Sequence, residues 1–281
     1  MSLLVGAASN AAGGYNLENS LRFRKSASAY LSRTPATAGN RKTFTFSFWV
    51  KRGTGSKDGL YQCGTAGALG VITFSAADQF ALTLSSGVAT TLITTQVFRD
   101  PSAWYHIVVS IDTTLATASD RAKIYVNGEQ VTSFASTNYP TLNYDTFFNM
   151  AVLNTLNRSL AASAYTDAYI TEYNFVDGQA LTASDFGETN AITGVWQPIE
   201  YTGTYGTNGF YLKGRGTDNS GNGNNFTETN FNTTNSALTT YDIMTDVPTL
   251  TDEDTANYAV LNTLNVSSGL SITQANLLVS K

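Results

Sequence analysis

The stretch WYHIVVSIDTTLATASDRAKIYVNGEQV, residues 104–131, predicts the type of fold. From Tyr105 to Asp112 an apolar side chain recurs at every second position, which is the period of a β-strand with one firmly apolar face. A second alternating run covers Lys123 to Asn127. It ends at Asn127-Gly128, the dipeptide that best tolerates the positive φ angles of a tight hairpin. The stretch therefore predicts two antiparallel strands.

Further short strands are predicted on both sides of this hairpin. The most regular run is Thr43 to Lys51, where three phenylalanines alternate with polar residues and are expected to anchor a core. Other runs cover residues 21–23, 30–31, 60–62, 71–74, 80–84, 91–94, 165–175 and 210–212. Those between 59 and 96 recur at roughly 8 to 12 residues, as in a β-sandwich. In the run 165–175, we expect Tyr169, Thr171, Tyr173 and Phe175 to share one face.

Composition supports a large all-β chain and excludes several functions. Of the 281 residues, 42% are hydrophobic and only 13% charged, which permits a sizeable core and disfavours long helices. One helical turn is predicted at 181–186, with Thr182 as N-cap and Asp185 three residues on. The formal net charge of −5 argues against nucleic acid as a partner. No apolar stretch approaches 18 residues, so neither a membrane span nor an export signal is expected.

Single copies of cysteine and histidine limit the possible chemistry further. Cys63 excludes an internal disulfide and is expected to be a small buried residue. His106 alone removes most metal sites and most nucleophile–base pairs. Because His106 lies on an alternating strand beside aromatic residues, we expect it to be structural or at the surface.

Three segments are predicted along the chain. Residues 1–17 form a Gly/Ala/Asn-rich N-terminal arm, residues 18–200 the sandwich, and residues 201–281 a Gly/Asn-rich C-terminal extension or a partial second β unit. The heptapeptide AVLNTLN occurs at both 151–157 and 259–265. It indicates either a duplicated strand–turn unit or two unrelated loops in a chain of narrow composition.

Five of these motifs, taken in order, resemble those of laminin-G-like, concanavalin A-like jelly-roll domains. They are residues 20–23, 30–31, 44–51, 104–109 and 123–128. The resemblance implies an all-β jelly-roll sandwich. Residues 30–35, 176–182, 201–210 and 220–226 are similar, more narrowly, to tail-fibre-like and other virion appendage proteins of bacteriophages, especially marine ones.

This narrower resemblance implies a non-enzymatic virion structural protein on the tail or capsid surface. The expected role is a tail fibre or tail appendage component that forms a homo-oligomer and contacts the host surface. Contacts with other virion proteins are expected through residues 1–17 and the C-terminal strands. The alternatives are a capsid decoration or head fibre protein, and a carbohydrate-binding adhesin that recognises host glycans.

Candidate site residues are few, and no cofactor is required by this interpretation. Concanavalin A-like glycoside hydrolases need two carboxylates on one strand face, whereas Asp167 and Glu172 lie five residues apart and are expected on opposite faces. A calcium site is possible at Asp218, Asn219, Asn222 and Asn224, which offer hard oxygen ligands among glycines; the alternative is a plain Asn-Gly turn. Candidate carbohydrate-binding aromatics in polar loops are Tyr139, Tyr144 and Tyr205.

Overall fold

The computed structural model describes residues 15–53, 58–65, 68–85, 90–160, 164–191, 193–249, 271–273 and 278–280. Its strands, in chain order, are β1 (Ser20–Phe23), β2 (Tyr30–Arg33), β3 (Thr43–Arg52), β4 (Asp58–Thr65), β5 (Ala68–Phe74), β6 (Gln79–Ser85), β7 (Thr90–Val97), β8 (Trp104–Asp112), β9 (Ala122–Val126), β10 (Glu129–Gln130), β11 (Phe134–Thr137), β12 (Asn154–Leu156), β13 (Ala168–Asp177), β14 (Gly187–Thr189), β15 (Trp196–Pro198), β16 (Phe210–Leu212), β17 (Thr227–Thr229), β18 (Ile243–Met244), β19 (Ser271–Thr273) and β20 (Leu278–Ser280).

Two eight-stranded antiparallel sheets form the main body of the fold, and β14 with β15 and β19 with β20 form two-stranded sheets of their own. The first has the order β10-β9-β8-β3-β13-β1-β18, with β16 also pairing with β13. The second has the order β11-β7-β6-β5-β4-β12-β2-β17. Neighbours such as β3 and β13 are far apart in the chain, so long crossovers connect the sheets, as in a jelly roll. The predicted all-β sandwich is confirmed.

The hairpin predicted from residues 104–131 is present. β8 and β9 pair antiparallel, with Val109 opposite Ile124. The tight turn lies one strand later, between β9 and β10, where Val126 pairs with Glu129. Its two central residues, Asn127 and Gly128, have φ angles of 47° and 88°, as a type I′ turn requires. Local turn chemistry and strand alternation therefore predicted this element correctly.

The core lies between the two sheets and is rich in aromatic rings. The phenylalanines of β3, Phe44, Phe46 and Phe48, are fully buried. The Phe46 ring centroid lies 4.6 Å from that of Phe175 in its own sheet and 4.8 Å from that of Tyr61 in the second sheet. Each such side chain contributes about 1.5–3 kcal/mol when fully buried. The predicted role of this strand as a core anchor is confirmed.

A bulge in β13 overturns one prediction about its faces. The register with β3 shifts around Glu172, and Glu172 has a φ of 52°. Because a bulge adds one residue, the side chains that follow it point to the other face. Tyr173 and Phe175 belong to the core, whereas Tyr169 packs with two tryptophans on the outer face. The prediction that Tyr169 and Thr171 share the face of Tyr173 and Phe175 is therefore wrong.

The outer face of the first sheet is also covered. Val108 and Val176, which point away from the core, are buried under Phe186, Tyr205 and Tyr211. Residues 201–249 pair with both sheets, through β16 on β13, β17 on β2 and β18 on β1. Strands β3 and β13 are consequently buried on both faces. The division near residue 200 stays a prediction.

Buried ion pairs tie the segment around β18 to the first sheet. Asp242 lies 2.6 Å from Arg24 Nε and 3.3 Å from Arg22 Nε. Asp246 lies 2.9 Å from Lys51 Nζ, and burial lowers the pKa of this lysine. All five side chains are at least nine-tenths buried. Each charge therefore depends on its partner, because an unpaired buried charge is strongly unfavourable.

Helical structure is minor in the described residues. It consists of 3₁₀ turns at Lys25–Ala27, Ala118–Asp120 and Ala183–Asp185. The third confirms the predicted helical turn, because Thr182 is its N-cap and the backbone N–H of Thr182 donates to Asp185 at 2.8 Å. Within the described ranges, no helix has the length and apolar character needed to cross a membrane. The second heptapeptide copy, 259–265, lies outside the described residues.

Candidate functional site

The three tyrosines predicted for carbohydrate binding occupy different environments. Tyr205 is 9% exposed, its ring stacks on Tyr211 with a centroid distance of 6.2 Å, and its hydroxyl donates to Asn174 at 2.7 Å. Tyr205 therefore offers no ring face to a sugar. Tyr139 and Tyr144 are half-buried in the segment between β11 and β12, and both retain some exposed surface.

A buried polar network holds the loops near these two tyrosines. The carboxylate of Asp177 accepts hydrogen bonds from the Asn149 amide at 2.7 Å, the Asn40 backbone N–H at 2.8 Å and the Asn208 backbone N–H at 3.1 Å. The Asn208 amide in turn donates to Asn149 at 2.9 Å. Because three separate loops meet at one carboxylate, this end of the sandwich is preorganised.

The predicted calcium-binding residues form a hydrogen-bonded turn. The Asp218 carboxylate accepts from the backbone N–H groups of Ser220 at 2.9 Å and Asn224 at 2.7 Å. The side-chain amides of Asn219, Asn222 and Asn224 donate to backbone carbonyls. Among the described residues, no group of three His, Cys, Asp or Glu side chains is placed to hold a metal. These bonds match the turn alternative, and the calcium site stays a prediction.

Glu172, at the bulge of β13, has the most perturbed carboxyl environment. Its oxygens accept hydrogen bonds from the hydroxyls of Tyr211 at 2.7 Å and Tyr15 at 2.8 Å. Burial raises its pKa to about 7, although both tyrosine hydrogen bonds act to lower it. A buried acid on a strained backbone is a frequent mark of a functional position.

A small cavity adjoins this carboxyl group. It has a volume of about 140 Å³ and is lined by residues 15–19, Glu172 and Lys213. The Lys213 ammonium lies 5.4 Å from the centroid of the Tyr211 ring and 6.0 Å from that of Tyr15. The Glu172 carboxyl group can therefore exchange a proton near neutral pH. Residues 15–19 form part of the cavity wall that covers it.

His106 is enclosed in a buried aromatic cluster. Its ring stacks on Trp49 at 4.9 Å, and burial lowers its pKa to about 3. The Trp196 indole N–H donates to Nδ1 at 2.9 Å, while Nε2 lies 2.9 Å from Ser47 Oγ. Because Nδ1 accepts, the proton of the neutral ring resides on Nε2 and is donated to Ser47. His106 therefore does not activate Ser47 as a base would, and the predicted structural role is confirmed.

Replacing Trp196 by phenylalanine should lower the free energy of unfolding by about 1–3 kcal/mol, because it leaves the buried Nδ1 of His106 without its donor. Urea denaturation of the full chain measures this loss. Trp49→Phe is the matched control, since Trp49 Nε1 has no hydrogen-bond partner in the described structure. An equal or larger loss for Trp49→Phe would contradict the assigned role of the indole N–H.

The family of the chain is established by sequence as well as by its two packed sheets. The model of the concanavalin A-like lectin/glucanases superfamily matches residues 25–186, more than half of the chain. The chain belongs to this superfamily. The predicted concanavalin A-like, laminin-G-like fold is thereby confirmed. No curated protein matches the chain.

Several solved structures are similar at low identity. A candidate carbohydrate-binding protein from Bacteroides ovatus is 14% identical over 76% of this chain and 58% of its own, with a TM-score of 0.47. A heptameric SAP-like pentraxin from Limulus polyphemus is 10% identical over 60% of this chain and 80% of its own, with a TM-score of 0.44. The binding domain of Paraclostridial Mosquitocidal Protein 1 is 12% identical over 59% of this chain and 41% of its own, with a TM-score of 0.43.

Proposed function

We propose that this chain is a non-catalytic carbohydrate-binding protein of a bacteriophage virion. The observation that carries the binding function is the match of residues 25–186 to a superfamily of lectins and glucanases, since both groups engage saccharides. The choice between binding and hydrolysis then depends on the carboxylates.

The placement of the carboxylates favours binding. Glycoside hydrolysis uses two carboxyl groups about 5–9.5 Å apart. Asp167 and Glu172 are separated by roughly 16 Å of extended chain, at about 3.3 Å per residue. Asp167 accepts a hydrogen bond from the Lys25 backbone N–H at 2.9 Å, and Glu172 is occupied by two tyrosine hydroxyls. Both the predicted opposite orientation of the pair and this separation assume a regular strand, which the bulge interrupts. The hydrogen-bond partners of the two carboxylates are therefore the firmer criterion.

The loop segment between β11 and β12 supports a glycan site at one end of the sandwich. Tyr139 and Tyr144 retain exposed surface there, and sugars stack readily on such rings. The backbone N–H of Asn143 donates to Thr113 at 2.7 Å, and the Thr113 hydroxyl donates to Tyr144 at 2.9 Å. These bonds fix the loop before ligand arrives, which lowers the entropy lost on binding.

The virion role is the finer part of this proposal. It is supported by the similarity of residues 30–35, 176–182, 201–210 and 220–226 to phage appendage proteins. As a homo-oligomer on a tail fibre or appendage, the chain would combine weak glycan contacts into avid attachment. Residues 1–17 and the C-terminal strands are proposed to contact other virion proteins. Cryo-electron microscopy of the particle tests this, and density at the capsid surface would favour the decoration or head fibre alternative.

The intact protein should bind a subset of saccharides on a glycan array and release no reducing sugar from them. Tyr139→Ala and Tyr144→Ala should each weaken binding at least tenfold, because each removes a stacking surface. Leu142→Ala is the matched control, since Leu142 is 52% exposed in the same loop and lacks a ring. Binding to no glycan would refute the function, and steady release of reducing sugar would assign the chain to the hydrolases.

A further inference from the structure

An arginine and two tyrosines form a second partly exposed cluster, outside the segment between β11 and β12 that contains Tyr139 and Tyr144. The guanidinium carbon of Arg158 lies 4.8 Å from the centroid of the Tyr30 ring. The rings of Tyr30 and Tyr165 lie 5.9 Å apart at an angle of 40°. All three side chains are intermediate in exposure. We name these three residues the Arg158 cluster.

The Arg158 cluster lies on the outer face of the second sheet. In β2, Leu31 points into the core, so Tyr30 before it points outward. Arg158 follows the end of β12 and forms an isolated bridge with Tyr165. Backbone pairing thus brings Arg158 and Tyr165 side by side and places them next to Tyr30.

One buried side chain fixes the chain beside all three residues. Asn157 has a φ of 62° and is fully buried. Its amide donates to the carbonyl of Thr166 at 2.8 Å and to the carbonyl of Ala29 at 3.4 Å, while the Thr166 hydroxyl donates back to its oxygen. Ala29, Asn157 and Thr166 each adjoin one member of the cluster. The cluster is therefore preorganised by its supporting residues, as binding sites are.

The guanidinium group lacks an anionic partner in the described part of the chain. The salt bridges found there involve other cations. Nε of Arg158 is buried and has no hydrogen-bond partner among the described residues. Since the side chain as a whole is only partly buried, a ligand meets the exposed part of the guanidinium group, where a carboxylate forms charge-assisted hydrogen bonds.

The geometry points to the Arg158 cluster as a binding site for an acidic saccharide, a sugar ring that carries a carboxylate. Arg158 pairs with the carboxylate, and the tyrosine rings pack against the apolar C–H face of the sugar. The ligand class rests on the proposed carbohydrate-binding function, but the residues differ from Tyr139 and Tyr144 of the site proposed above. Experiments can therefore refute either site without refuting the other.

Isothermal titration of the full chain tests the site with three oligosaccharides: one bearing carboxylates, the same one with its carboxyl groups reduced to alcohols, and a sulfated one. The carboxylated sugar should bind, and the reduced sugar should bind at least tenfold more weakly. Comparable affinity for the sulfated sugar would overturn the assignment of the carboxylate as the recognised group, because the site would then bind any anionic sugar.

Arg158→Gln should lose at least tenfold in affinity for the carboxylated sugar, whereas Arg99→Gln should stay within twofold. Arg99 is the matched control, because its side chain is 58% exposed and its replacement changes the net charge equally. Should Arg158→Gln fold poorly, the Nε–H resonance of Arg158 in the unmodified protein provides a second readout and should shift on titration.

Equal binding of the carboxylated and reduced sugars, or an equal loss for Arg99→Gln, would overturn the inference. If neutral glycans still bind and depend on Tyr139 and Tyr144, the proposed function survives that failure. If no saccharide binds at all, both proposals fail.

Discussion

Replacing Asp242 by alanine should lower the free energy of unfolding by about 3–5 kcal/mol, a large effect for a single substitution. The Asp242 side chain is fully buried. Its carboxylate accepts hydrogen bonds from Arg24 at 2.6 and 2.8 Å and from Arg22 at 3.3 Å. Its removal leaves two buried guanidinium groups without their counter-charge. The backbone N–H of Asn232 loses its acceptor as well.

Chemical denaturation of the full chain measures this loss. Asp120→Ala is the control, because its pair with Lys123 is partly exposed, with side-chain exposures of 45% and 31%, and such surface pairs contribute at most about 1 kcal/mol. A loss of less than about 1 kcal/mol for Asp242→Ala would mean that the segment around β18 is held by packing rather than by charge.

The Glu172→Gln variant should gain stability over the unmodified protein as the pH rises from 4 to 8. Burial raises the pKa of Glu172 from 4.5 to about 7, so the folded state binds more protons than the unfolded state between these values. The stability due to Glu172 is therefore fully present below about pH 4.5 and is lost as the pH rises through 7. A rise of this size corresponds to on the order of 3 kcal/mol, and glutamine, which does not ionise, avoids the loss.

The measurement is the difference in free energy of unfolding between variant and unmodified protein at several pH values. His106 acts in the opposite direction, because its pKa, lowered to about 3, makes stability rise with pH up to about 6.5. This contribution is common to both proteins and cancels in the difference.

Glu228→Gln is the control for direction. Burial acts to raise the pKa of Glu228, but hydrogen bonds from Arg215 and Gly216 lower it overall. The stability due to Glu228 is therefore lost as the pH falls, and its variant should become relatively less stable toward high pH. A difference for Glu172→Gln that does not change with pH would show that this carboxyl titrates normally.

Local patterns predicted much of the fold because the relevant physics is local. The hairpin at Asn127-Gly128 depends on the φ angles that two adjacent residues tolerate. The core strand containing Phe46 depends on an alternation of period two, which any sheet with one buried face requires. The order of such motifs was enough to identify the superfamily.

The sites were less predictable because their geometry depends on distant segments. Tyr205 lies in a loop of polar composition, yet the outer layer over the first sheet buries it. Arg158 and Tyr30 are more than a hundred residues apart, and nothing local relates them. The guanidinium group of Arg158 comes to lie beside the Tyr30 ring only because β12 pairs with β2.

The sequence by itself determined the longer strands, the tight turn and the aromatic core, since period, turn residues and burial of apolar area act over a few residues. Short strands such as β17 and β18 carry no such pattern and were not predicted. Tertiary structure decided what the polar residues do. The bulge at Glu172 interrupts the pairing of β13 with β3, and Tyr15 and Tyr211 cover its carboxyl group, which is desolvated. The same packing removes His106 from water and brings Asp242 to its arginines. Desolvation and charge pairing depend on the surroundings in space, so these properties emerge only when distant segments meet.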